Sequence, residues 1–94
     1  MSADNINNGE ETLFKFPCAF PIKAMGRGII GLEETIVGIV RNHVAAEDIK
    51  SVVTRPSSHN NYIGVTITIT ARSKAQLDAI YMDLTSHPEV LMSY

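Results

Sequence analysis

Ninety-four residues, 45% of them hydrophobic and 19% charged, suffice for one small domain with a real core and leave no room for a second. A net charge of −2 gives no broad attraction for a phosphate backbone, and no apolar run approaches the ~20 residues of a membrane span. The single cysteine excludes a disulfide framework and a Cys-based zinc site of the four-ligand kind, so a reducing cytoplasm is the expected compartment.

Residues 1–12 contain one large apolar residue, Ile6, and resemble no signal peptide. They are expected to form a disordered N-terminal tail, since ordering them would cost backbone entropy without burying apolar surface. A single domain is expected over residues 13–94. Phe14, Phe16, Cys18, Phe20, Ile22 and Ala24 share one parity, the side-chain period of a strand. Pro17 and Pro21 lack a donor N–H, which predicts an irregular beginning and a regular strand over residues 20–25, with Lys23 facing outward.

Gly26-Arg27-Gly28-Ile29-Ile30-Gly31 closes that strand. Leu32, Ile36, Ile39, Val40 and His43 then fall at helical spacing, predicting a helix over residues 31–44. Glu33 and Glu34 in its first turn, and Arg41 and His43 near its last, suit the helix dipole.

Residues 48–57 are rich in Val and Thr and read as a second strand, with Pro56 pointing to an edge position. The polar run Ser57-Ser58-His59-Asn60-Asn61 reads as a turn. Ile63, Val65, Ile67, Ile69 and Ala71 then alternate with Gly64, Thr66, Thr68, Thr70 and Arg72, the pattern of a half-buried strand with one polar face. Ser73 and Gln76 have capping-box spacing ahead of a helical stripe of Leu77, Ile80, Tyr81 and Leu84, which Pro88 ends. Residues 89–94 read as a last strand. The order strand, helix, strand, strand, helix, strand predicts an α+β fold of the ferredoxin-like βαββαβ type. Its four-stranded antiparallel sheet would hold two helices on one face and leave the threonine face bare.

The glycine string Gly26, Gly28, Gly31 matches the dinucleotide-binding pattern. The strand after its helix leads into a hairpin, however, and Glu33 and Glu34 would repel phosphate, so the string reads as a tight strand-to-helix turn. The remaining alternative is a small ligand held by the loop's backbone N–H groups. Arg27 reads as a solvated side chain: the longer glycine–valine–glutamine loop of acylphosphatases is missing, and no Asn is placed to orient a water. Cys18 reads as a small buried hydrophobe. His43, His59 and His87 lie in different elements without metal-site spacing, so no metal or other cofactor is expected. RNA on the bare face is not expected either, because threonines occupy the central-strand positions where RNA-binding sheets carry aromatic residues. No nucleophile, base and orienting group can be assembled, and the chain reads as a non-enzyme.

Several segments together resemble the YbeD-type family of small bacterial proteins. They are Phe16-Pro17 with Phe20, Lys23-Ala-Met-Gly26, Arg55-Pro-Ser-Ser58, Asn61-Tyr62 with Val65-Thr-Ile-Thr-Ile69, and Gln76-Leu-Asp-Ala-Ile-Tyr-Met-Asp-Leu84. The family looks related to ACT-type regulatory domains, which share the fold, pair side by side, and bind amino acids near the first strand-to-helix loop. The resemblance implies a cytoplasmic, non-enzymatic regulatory or adaptor domain that acts through protein association, with self-pairing as a homodimer and a link to lipoate metabolism. Its alternative is an amino-acid-like sensor, with Met25, Gly26, Arg27, Gly28 and Ile29 as the ligand-binding positions. Neither nucleic acid nor membrane is an expected partner.

Overall fold

The structure is a computed structural model that describes residues 15–57 and 61–94. The expected tail over 1–12, with Leu13 and Phe14, and the turn residues Ser58, His59 and Asn60 lie outside the described residues. The chain forms β1 (Cys18–Arg27), α1 (Leu32–Arg41), β2 (Ile49–Pro56), β3 (Tyr62–Ala71), α2 (Lys74–Ser86) and β4 (Val90–Ser93), with a short 3₁₀ turn at Ala46–Asp48. The strands order β2-β3-β1-β4 and every neighbouring pair is antiparallel. This is the ferredoxin-like α+β architecture predicted from the order of elements.

The alternation in β3 decides which side of the sheet is covered. Val65, Ile67, Ile69 and Ala71 are fully buried, whereas Thr66, Thr68 and Thr70 on the other side are half-exposed. Ile22 and Ala24 of β1 lie on the buried side with them. Leu32, Ile36 and Val40 of α1 and Leu77, Ile80 and Leu84 of α2 complete the core. The first set recurs every four residues and the second at three and then four, so one stripe of each helix meets the sheet.

β1 is longer than expected. It pairs with β3 from Cys18↔Ala71 to Arg27↔Tyr62 without a break, in spite of Pro21. The reason is directional. Lys23 exchanges both backbone hydrogen bonds with Tyr94 on the β4 side, at 2.9 and 2.8 Å. Pro21, two residues earlier, points its nitrogen to the same side, beyond Tyr94 where β4 supplies no acceptor. A missing donor there breaks no ladder bond.

α1 is shorter than the expected 31–44. Gly31 has φ of 91° and cannot join the helix. At the other end the N–H groups of Asn42 and His43 donate to Ile39 and Val40, three residues back, which tightens and ends the last turn. Asp48 belongs to the 3₁₀ turn, so β2 begins at Ile49 and ends at Pro56, on the sheet edge as Pro56 suggested. Cys18, at the first position of β1, is half-buried and packs against the core rather than being enclosed by it. The cap of α2 differs in one detail. Ser73 Oγ accepts from the Gln76 N–H as expected, but Gln76 Oε1 accepts from the Arg72 N–H, and Gln76 Nε2 donates to the His43 carbonyl. Gln76 thus ties the start of α2 to the end of α1.

Candidate functional site

The side of the sheet away from the helices presents side chains in cross-strand rows. One row runs Arg55, Gly64, Met25, Met92 across β2, β3, β1 and β4; the next runs Val53, Thr66, Lys23 and the terminal Tyr94. Arg27 and Tyr62 stand opposite each other at the end of the β1–β3 pair. Because Gly64 has no side chain, the first row sinks between Arg55 and Met25. A shallow depression of about 270 Å³ lies over Gly64 and Thr66, bordered by Lys23, Arg55 and Tyr94. A second, of about 220 Å³, adjoins it along Met25, Arg55, Tyr62 and Gly64. Arg55 of β2 ends the sunken row and Lys23 of β1 stands in the next one, with β3 between them, a lateral offset of two strand spacings or about 10 Å.

The electrostatics of this face follow from the sequence of the strands. β1, β2, β3 and β4 contain four cations, Lys23, Arg27, Lys50 and Arg55, and no aspartate or glutamate. Lys50 turns back to the Glu47 carbonyl at 3.0 Å. Lys23, Arg27 and Arg55 stand on the uncovered face, and among the described residues none of them has a carboxylate partner. The ion pairs lie elsewhere: Asp48 with Arg72, Asp78 with Lys74 along α2, and His43 with Asp83 between the helices. The Asp48 carboxyl is held below its ordinary range, chiefly by its hydrogen bonds from the Arg72 guanidinium.

Exposed apolar groups share the face. Val53 and Tyr62 are each 41% exposed, Met92 54% and Tyr94 58%. The result is a mixed apolar and cationic surface on a molecule whose net charge is negative.

Met25, Gly26, Arg27, Gly28 and Ile29 lie at the end of β1 and in the loop after it. Met25 is half-buried on the uncovered face, Gly26 is buried, and Arg27, Gly28 and Ile29 are exposed. Gly26 is explained by packing: a Cβ there would run into the Glu89 carbonyl and come within 2.8 Å of Leu32 Cδ2. Gly31 is explained by its positive φ. The Gly28 N–H donates to the Asn61 carbonyl at 3.0 Å and the Ile29 N–H to the Arg27 carbonyl at 2.7 Å. Two of the loop's N–H groups are therefore committed within the chain. Beside them Arg27, Gly28, Ile29, Asn61 and Tyr62 border an open depression of about 350 Å³.

His43 and His87 are engaged separately. His43 Nε2 lies 2.8 Å from Asp83 Oδ2, and His87 Nδ1 accepts from the Glu89 N–H. Among the described residues no three His, Cys, Asp or Glu side chains gather as a metal site, and no helix is long and apolar enough to cross a membrane. Sequence reasoning turned Lys23 outward but did not join it to Arg55, Tyr94 and Met92. The lack of acids on the strands was hidden, because the expected strands over 48–57 and 89–94 begin with Asp48 and Glu89, which the structure leaves outside β2 and β4.

Topology, register and helix placement define a ferredoxin-like α+β domain with one sheet face left uncovered by the described residues. The chain belongs to the family described as "Protein of unknown function (DUF493)", whose model matches residues 11–94. It is 52% identical to a UPF0250 protein of Paraburkholderia phytofirmans, over 85% of this chain and 90% of that protein. A UPF0250 protein of Leptothrix cholodnii is 48% identical over 86% of this chain and 89% of its own length. One from Chromobacterium violaceum is 41% identical over 93% and 98% respectively. These relatives support the YbeD-type resemblance carried by the sequence.

Proposed function

We propose that the domain is a non-enzymatic, cytoplasmic regulatory or adaptor module that works by protein association through its uncovered sheet face. The observation that carries this reading is the exposure of Val53, Tyr62, Met92 and Tyr94 together on one face of a small domain. The non-enzymatic part is supported by how the titratable groups are used: Asp48 is engaged by Arg72 and His43 by Asp83, away from the depressions on the sheet. Self-pairing belongs to the same proposal, because β2 pairs with β3 along one side and has a second side to offer to another strand. The lipoate link implied by the resemblance suggests where to look for a partner.

Sedimentation of the purified chain at micromolar concentration, together with capture of partners on the tagged chain in its own cells, tests the reading. Association that is lost in Val53→Glu, with the melting temperature retained, is the expected result. A strict monomer that captures the same proteins with and without the substitution contradicts it.

A second reading is favoured by the depression beside Arg27. In it Met25, Gly26, Arg27, Gly28 and Ile29 form the binding loop of an amino-acid-like sensor, with Arg27 meeting the ligand's carboxylate. A thermal-shift screen of amino acids should then show stabilisation that Arg27→Ala abolishes, since binding to the native state raises its stability. Unchanged melting across the screen rejects this second reading.

A further inference from the structure

We infer that the uncovered face receives an acidic stretch of a partner protein, with carboxylates meeting Lys23, Arg27 and Arg55 and apolar side chains entering the sunken row over Gly64. The inference rests on the association reading above and adds the chemistry of the partner. Three cations share this face, no strand contributes an acid, and no described carboxylate neutralises them. The described acids sit on the helices and turns instead, at Glu33, Glu34, Glu47, Asp48, Asp78, Asp83 and Glu89. The acids are thus kept off the strands, while the helices carry Arg41 and Lys74 beside their own acids. Such a distribution steers a complementary surface to the face and raises the cost of a like-charged one.

Charge also selects among the possible occupants. Two copies packed by this face about a twofold axis would set cations against cations, because the same patch meets itself. A copy docked by its helices would form a head-to-tail contact, which builds a ring or a filament rather than a simple pair. A nucleic acid would gain few phosphate contacts from three cations. A short acidic segment with interspersed apolar residues fits both the cations and the exposed Val53, Tyr62, Met92 and Tyr94. The depressions between Arg55, Gly64, Met25 and Tyr94 take its apolar side chains.

The test uses the full chain and three labelled probes: a short peptide alternating glutamate with leucine, its glutamine counterpart, and an oligouridylate of equal charge. Expected is binding of the glutamate peptide alone, weakened by added salt, with amide shifts centred on Gly64 and Thr66. Lys23→Gln with Arg55→Gln should weaken it about tenfold, at unchanged melting temperature. Equal binding of the glutamine peptide, preference for the oligouridylate, or no binding of any probe overturns the inference. Partner capture separates this failure from failure of the association reading. If Val53→Glu loses the captured proteins and the double neutralisation keeps them, association stands and the acidic partner falls. If neither substitution loses them, the association reading falls as well.

Discussion

Arg72 closes on Asp48 with two parallel hydrogen bonds, Nε to Oδ2 at 3.1 Å and Nη2 to Oδ1 at 2.9 Å, across 24 positions of sequence. The pair fastens the turn before β2 to the end of β3. Asp48 is 7% exposed and is the one charged residue among the described ones that is buried, so its charge depends on this partner.

Its acid response follows from the lowered pKa. A carboxyl whose folded value lies below its unfolded one contributes stability that is complete above the unfolded value, here the ordinary 3.8, and that fades as pH falls through the folded value. Urea midpoints measured from neutral pH down through 3.8 should fall in the wild type. Asp48→Asn and Arg72→Gln should be less stable at neutral pH and lose less on acidification. Parallel curves for all three proteins would remove the pair from the account.

Gly26 and Gly31 predict different penalties. Gly26→Ala drives a methyl into the Glu89 backbone and Leu32, and should cost about 1–3 kcal/mol by overpacking. Gly31→Ala meets nothing within 4 Å and should pay only for its left-handed backbone, about 1 kcal/mol. Urea unfolding measures both. A harmless Gly26→Ala would contradict the close approach of β1 to the turn before β4.

Neighbouring positions in β3 should behave oppositely. Ile67 is fully buried, and Ile67→Ala should cost about 2–5 kcal/mol. Thr66, on the uncovered side, should tolerate alanine within about 1 kcal/mol. Comparable losses at the two positions would mean that both faces of the sheet are covered.

Much of this architecture is legible because local patterns and tertiary packing agree. The five-fold alternation from Ile63 to Ala71 fixes both the strand and its inward face, and the stripe of Leu32, Ile36 and Val40 does the same for α1. Pro21 misleads because its effect depends on which neighbour its nitrogen faces, and only the lateral order of strands reveals that. The bonds from Arg72 to Asp48 and from Gln76 to His43 join residues 24 and 33 positions apart, and nothing local to either partner announces them. The candidate face was half visible. Its threonines were plain, but Arg55 of β2, Lys23 of β1 and Tyr94 just after β4 become neighbours only when the register is known.

Hydroxyl-radical footprinting of the chain, alone and in complexes captured from its own cells, tests the role of the uncovered face most directly. Met92 and Tyr94 report from that face, and Met82, 73% exposed on α2, serves as the reference on the other side. The account predicts that oxidation of Met92 and Tyr94 falls in the captured complex while that of Met82 is unchanged. Protection of Met82 with Met92 and Tyr94 still fully reactive would place the contact on the helices and contradict it.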